Sequence, residues 1–210
     1  MAGIGQMWDQ LVNCICRPPR DNYGMDDLVG GLEGTFTISG RFKATRNDFT
    51  LTNKKGQKLQ CSHFVPEGVR GPEGKIPCVI YCHCNSGSRR DAEEALFVLI
   101  PLGVSVFTLD FAGSGLSDGE YVSLGAHEVE DVQSVVEHLR AGGKTSTLGL
   151  WGRSMGAVTA LLYSARDPSI AGIVLDSPFS RLTDLMLEIV EEQNLPIPKV
   201  MCKAALAVIK

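Results

Sequence analysis

Four uninterrupted apolar runs recur along the second half of the chain: Cys78–Cys82, Val104–Leu109, Thr147–Trp151 and Ile170–Leu175. A helical stretch follows each of the first three, over Arg89–Ile100, Gly125–Ala141 and Met155–Ala165. In the second of these, Val129, Val132, Val135, Val136 and Leu139 share one face, and Gly142-Gly143 ends it. A strand that is apolar at every position, rather than at every second one, is covered on both faces. Strands separated by helices run parallel. The alternation therefore predicts an α/β fold, a mainly parallel sheet flanked by helices.

The first part of the chain reads differently. Short strand-like pieces, Phe36–Ser39, Asp48–Thr52 and Leu59–Phe64, alternate with turn signals, and Asn53-Lys-Lys-Gly56 reads as a hairpin turn. Pro66–Pro77, with three glycines and three prolines, predicts a surface loop. Ile4, Met7, Trp8, Leu11, Val12 and Ile15 fall on one face of a helix that Arg17-Pro18-Pro19-Arg20 stops. That helix either caps the domain or lies in a membrane interface, with Cys14 and Cys16 as acylation sites beside Arg17 and Arg20. Ala2 excludes N-myristoylation, which needs glycine there. The division expected is an amphipathic helix over 1–20 and an α/β domain over 21–210. Beyond Leu175 the sequence offers a helix around Leu182–Glu192, the Pro-interrupted Leu195–Pro198, and a helical Met201–Lys210.

Composition narrows the function classes. A net charge of −4 gives no basic footprint for nucleic acid, and 44% hydrophobic content excludes a disordered chain. Seven cysteines, at 14, 16, 61, 78, 82, 84 and 202, are an odd number, and Trp8, Asp9, Gln10 and Asn13 interrupt any secretory core. Free thiols in a reducing, cytoplasmic compartment are expected, with peripheral membrane contact if the interfacial reading of the first helix holds. Cys78, Cys82, His83 and Cys84 match no standard metal-ligand spacing, so buried strand cysteines are expected, and no metal or cofactor.

The chemistry sits at the ends of the apolar runs. Gly152-Arg-Ser154-Met155-Gly156 stands between the third run and its helix, the context in which G-x-S-x-G lifts a serine hydroxyl above the sheet edge. The amide of Met155, at the start of that helix, then faces the same space and suits an oxyanion. His83-Cys-Asn-Ser-Gly87 follows the first run and can supply a second oxyanion amide, from Asn85 or Cys84. Asp110-Phe-Ala-Gly-Ser-Gly-Leu-Ser117 follows the second run. Asp118 stands where a dinucleotide fingerprint needs glycine, so this reads as a structured loop beside the site.

These three segments together resemble the α/β-hydrolase superfamily, and within it the plant-type serine hydrolases of the serine aminopeptidase S33, monoacylglycerol lipase-like group. The alpha/beta hydrolase domain 17 type depalmitoylases are more distant relatives. The resemblance implies an enzyme that cleaves acyl ester or thioester bonds in a small acyl substrate or an acylated protein. It implies Ser154 as nucleophile and Met155 and Asn85 as oxyanion amides. The family's loop normally begins His-Gly, so Cys84 is strained if that position takes a positive φ. The triad order in this fold is Ser, then Asp or Glu, then His. No histidine follows Ser154; the four present are His63, His83, His127 and His138. His127 and His138 lie off the apolar stripe of their helix, so exposure is expected, and His83 is expected to be structural. Asp176, after the fourth run, occupies a place where some members carry the acid, although the group most resembled places it one strand later. Two strand–helix units of roughly 30 residues each are then expected to be lacking. That leaves three readings: a serine hydrolase weak or inactive as 210 residues, a non-catalytic hydrolase-fold protein that binds a ligand or partner, or a lipid-anchored scaffold acting through the first helix, acylated at Cys14 or Cys16.

Overall fold

The computed structural model describes residue 13 and residues 15–185. Among the described residues the strands are β1 (Thr35–Ile38), β2 (Phe42–Thr52), β3 (Lys58–Pro66), β4 (Ile76–Cys82), β5 (Ser105–Leu109), β6 (Thr145–Arg153) and β7 (Gly172–Asp176). The helices are α1 (Glu93–Leu99), α2 (Glu128–Ala141) and α3 (Met155–Arg166). One sheet holds all the strands in the order β1-β2-β3-β5-β4-β6-β7. The four apolar runs are β4 to β7, paired parallel as β5-β4-β6-β7, while β1, β2 and β3 add antiparallel pairs up to β3 on β5.

The unbroken apolar character of β4 has the expected cause. Cys78, Ile80 and Cys82 face a cluster with Val129, Val132, Val135 and Val136 of α2 and Met155, Ala160 and Tyr163 of α3. Tyr81 faces the opposite cluster, with Ala95 and Leu96 of α1. Each such fully buried aliphatic side chain contributes about 1.5–3 kcal/mol of transfer free energy. Strand β7 departs from the expectation of two covered faces. It pairs with β6 alone among the described residues, and Ile173 and Val174 are exposed.

Several boundaries move for identifiable reasons. The helix expected over Arg89–Ile100 opens as a 3-10 turn, Arg89–Ala92, and closes as another, Ile100–Leu102, where Pro101 has no N–H to donate and Gly103 turns left-handed at φ 76°. α2 begins at Glu128 rather than Gly125. The Glu128 carboxylate turns back to accept from the amides of Ser123 and Gly125, both at 2.8 Å, and from Ser123 Oγ at 2.6 Å, which fixes residues 123–127 as a cap. Strand β2 starts six residues before the expected Asp48 because Arg46, although charged, is buried. Its guanidinium bonds the Asp48 carboxylate at 2.9 Å and the carbonyls of Val29 and Gly31 at 2.6 and 2.8 Å. The surface loop is shorter than Pro66–Pro77, since Pro66 ends β3 and Ile76-Pro77 open β4.

The hairpin turn is as expected. Asn53 Oδ1 accepts from Lys55 and Gln57 amides, both at 3.0 Å, and its Nδ2 donates to the Asp131 carboxylate of α2 at 2.8 Å. Asp131 also accepts from the Ala112 amide at 2.9 Å, yet desolvation outweighs both bonds and pushes its pKa up to about 6. A carboxyl raised in the native state favours folding fully below its unfolded pKa near 4. That contribution is lost as pH rises to about 6. The stability of Asp131→Asn relative to the parent is therefore expected to increase between about pH 4 and pH 6. Urea unfolding at intervals across that range checks it; a flat difference would show that Asp131 titrates normally.

The amphipathic helix expected over the first seventeen residues, Cys14 included, lies outside the described residues except for Asn13 and Ile15–Arg17. Ile15 packs against the larger cluster and the Cys16 carbonyl accepts the Val122 amide at 2.8 Å. The Leu182 helix is described only to Leu185, and residues 186–210, Cys202 among them, lie outside. Among the described residues no helix is long and apolar enough to cross a membrane.

Candidate active site

Strand β6 reaches Arg153 and α3 begins at Met155, so a single residue, Ser154, makes the reversal. It adopts φ 51°, ψ −114°, outside the ordinary regions for a residue with a Cβ. Two close approaches make that turn possible. A Cβ on Gly156 would lie 1.9 Å from the Cys82 carbonyl oxygen and 2.6 Å from that of His83, and one on Gly152 would lie 2.2 Å from the Gly156 oxygen. The first turn of α3 therefore rests on the backbone at the end of β4. The Ser154 carbonyl accepts the first helical bond from Val158 at 3.0 Å, and its amide donates to the Asp176 carbonyl at 2.8 Å, tying the elbow to β7. Ser154 is half-buried, and Met155 is buried with its amide among the first N–H groups of the helix, which have no intrahelical partner.

The loop after β4 lies beside this elbow because Cys82 pairs with Gly152 across the sheet. The Gly87 amide donates to the Cys84 carbonyl at 3.0 Å, closing a turn whose central residues are Asn85 and Ser86. Their amides take no part in that bond, and Asn85 is half-buried. Cys84 keeps an ordinary φ, so a cysteine at this position carries no backbone strain. It is also not a buried strand thiol, as expected for the cluster, but a half-buried one in the loop. Cys78 and Cys82 are buried strand thiols, pushed up to about 12 by desolvation, as is Cys61. All five described cysteines, Cys16, Cys61, Cys78, Cys82 and Cys84, are free.

His83 is structural. Its Nε2 accepts the Phe111 amide at 3.0 Å, so Nδ1 carries the proton and donates to the Cys84 carbonyl at 2.6 Å. Complete burial lowers its pKa, and with both nitrogens engaged it has no lone pair for a metal or a substrate proton. His63 is mid-strand in β3, its pKa lowered to about 4 by burial. His127 and His138 are exposed, as expected, His138 lying against the Phe49 ring. Among the described residues no histidine is hydrogen-bonded to Ser154. The Asp176 carboxylate is exposed, accepts from Ser177 Oγ at 2.8 Å and lies 3.5 Å from the Arg153 guanidinium.

The site holds residues that the sequence did not single out. Asp110, fully buried after β5, accepts from the Arg89 amide at 2.7 Å, the Leu116 amide at 2.9 Å and the Tyr23 hydroxyl at 2.6 Å. The Arg89 side chain, itself buried, donates to Tyr23 Oη at 2.7 Å and the Cys61 carbonyl at 3.0 Å. The available signal was an acid placed directly after a fully buried strand, where a carboxylate must find donors.

Comparison with known proteins agrees with this geometry. The profile of the serine aminopeptidase S33 family matches residues 77–206, well over half of the chain. An alpha/beta hydrolase domain-containing protein of Arabidopsis thaliana, WAV2, is 26% identical over 75% of this chain and 51% of its own length. Human monoglyceride lipase is 32% identical over 61% of this chain and 42% of its own. The chain thus spans about half the length of these curated relatives. A Pyrococcus furiosus esterase superposes with a TM-score of 0.63 at 25% identity, over 73% of this chain and 57% of the esterase. A Butyrivibrio proteoclasticus protein solved with ferulic acid, at a TM-score of 0.55 and 23% identity over 65% of this chain and 55% of its own, shares the fold. A serine elbow between β6 and α3, a polar turn beside it and a matching family profile lead to one conclusion: the chain belongs to the serine aminopeptidase S33 family of the α/β-hydrolase fold.

Proposed function

We propose that this chain carries the nucleophile and oxyanion amides of a serine acyl-hydrolase acting on ester or thioester bonds, in a small acyl substrate or an acylated protein. The observation that carries the reading is the Ser154 backbone, held at φ 51° between strand and helix. A fold accepts such strain where the surroundings over-determine it, and a nucleophile presented at the end of the strand is a sufficient reason. Ser154 Oγ attacks the acyl carbon, and the carbonyl electron pair moves onto oxygen facing the amides of Met155 and Asn85. Collapse of that oxyanion expels the alcohol or thiol, which takes up the serine proton. Water then hydrolyses the acyl-serine.

The proton on Oγ needs a base, and none of the four histidines is placed to take it. Asp176 is the candidate acid, supported by its carbonyl bond to the Ser154 amide, but its carboxylate is turned to Arg153 and Ser177. Turnover by these 210 residues is therefore expected at the level that oxyanion donors and binding provide alone, about 10³–10⁴ over water. The Asp176 carboxylate, exposed and turned to Arg153 and Ser177, favours a second reading, a non-catalytic hydrolase-fold protein that binds its ligand through the same site. The free thiols support a reducing, cytoplasmic setting.

A fluorophosphonate probe applied to the protein in its native source separates the two readings. The hydrolase reading expects a covalent adduct that peptide mass spectrometry maps to Ser154 and that heat denaturation abolishes. A native protein that takes no label at Ser154 moves the binding reading to first place.

A further inference from the structure

We propose that Arg20–Gly24 form a strap that sets the oxyanion loop, with Asp21 and Tyr23 as positioning residues for the Asn85 amide. The inference rests on the acyl-hydrolase reading of Ser154. The loop His83–Ser88 is fixed at its near end by the two His83 bonds and by the Cys84–Gly87 turn. Its far end is fixed by residues more than sixty positions earlier. Ser88 Oγ donates to the Asp21 carboxylate at 2.7 Å, and the Arg90 guanidinium pairs with the same carboxylate at 3.1 Å. The next residue, Arg89, is held twice: its amide by Asp110 at 2.7 Å, and its Nε by Tyr23 Oη at 2.7 Å. Tyr23 in turn donates to Asp110 at 2.6 Å, which closes a ring of three buried side chains.

The strap also reaches the following loop. Arg20 donates to the Ser117 carbonyl at 2.7 Å and to that of Gly119. The loops after β4 and β5 are thereby bridged by one short segment. Both Arg89 and Arg90 guanidinium groups lie over the Tyr23 ring, at 5.6 and 5.8 Å from its centroid. Arg20 and Asp21 line a cavity of about 640 Å³ together with Cys84, Ser86, Gly87 and Arg153. The strap and the loop that carries Asn85 thus border the same cavity. An oxyanion donor works only if held to about half an ångström, and a turn anchored at one end does not meet that tolerance. Burial and the adjacent Asp110 raise the Tyr23 pKa, so its hydroxyl stays a donor throughout the working pH range.

The test uses the full chain with Tyr23→Phe, Asp21→Ala and Asp21→Asn, read by amide hydrogen exchange over residues 83–91 and by the rate of fluorophosphonate labelling at Ser154. Loss of an oxyanion donor costs about 10²–10³, and a displaced donor less, so Tyr23→Phe and Asp21→Ala are expected to label about ten-fold more slowly. Exchange over residues 83–91 is expected to rise in both. Asp21→Asn, which still accepts from Ser88, is expected to recover most of the labelling rate. A purely structural role would lower the melting temperature without this rescue. Unchanged exchange in both loss variants overturns the proposal, as does unchanged labelling of a reactive parent. If the parent takes no label, the acyl-hydrolase reading fails and exchange alone decides the strap. Should Tyr23→Phe not fold, the Asp21 pair carries the same decision.

Discussion

Gly156→Ala is expected to dismantle the elbow while the rest of the sheet survives. The added Cβ would sit 1.9 Å from the Cys82 oxygen and 2.4 Å from its carbonyl carbon. Those are backbone atoms in the last pair of the β4–β6 ladder, so they cannot rotate away as a side chain would. The relief available is to lift α3 off the end of β4. That forfeits the packing of Met155, Ala157 and Ala160, all fully buried. Overpacking of this kind costs about 1–3 kcal/mol, and the rigid backbone on one side places Gly156→Ala at the upper end or beyond. A displacement of the helix start by about an ångström also moves the Met155 amide and costs labelling of Ser154 roughly 10²-fold. Gly172→Ala is the matched control. It lies at the start of β7, its Cβ would meet nothing within 4 Å, and a change within about 0.5 kcal/mol is expected. Urea unfolding of the two variants decides the matter. Equal stabilities would mean that the close approach at Gly156 is not what holds the elbow.

The contrast between these glycines shows what could be read from the sequence. The elbow was legible because its requirements are local: an apolar run, two small residues around a serine, a helix directly after. The parallel strands were legible because β5 is buried along its whole length and β4 over most of its own, so that only the small hydroxyls of Ser105 and Thr108 interrupt the apolar runs. Strand β2 was only half legible, since Arg46 looks like a surface residue and is buried through carbonyls supplied by Val29 and Gly31. Strain at Cys84 was expected only if that position took a positive φ. Here the turn closes from Cys84 to Gly87 without one. Asp110, Arg89 and Tyr23 were invisible as a unit because their bonds join residues 66 and 87 positions apart. Periodicity carries no information over such distances.

That unit gives the second large effect, at Asp110. Its carboxylate is the acceptor for two buried donors, the Arg89 amide and the Tyr23 hydroxyl, and for the part-buried amide of Leu116. Asp110→Ala leaves all three without a partner, and each unsatisfied buried group costs about 1–3 kcal/mol. It also removes the carboxylate that holds the Tyr23 hydroxyl in place to accept from Arg89 Nε. The remaining carboxylate, Asp48, is 3.9 Å from Arg89 and already shared with Arg46. Breaking a buried charged network by removing one partner costs about 3–5 kcal/mol, so Asp110→Ala is expected in that range or above. Asp110→Asn separates shape from charge. Its carbonyl can still accept one amide, and the Tyr23 hydroxyl can reverse to accept from its NH₂, which leaves one backbone amide poorly served. A loss of about 1–3 kcal/mol is expected for it. With a urea slope of about 2 kcal/mol per molar, the alanine variant should unfold roughly 1.5–2.5 M earlier than the parent and the asparagine variant about midway between. The ordering is the decisive result. If both variants fall equally, charge is what Asp110 supplies and the hydrogen-bond account is wrong. If neither falls, the loops after β4 and β5 are held by packing alone, and the ring of three side chains contributes nothing to either.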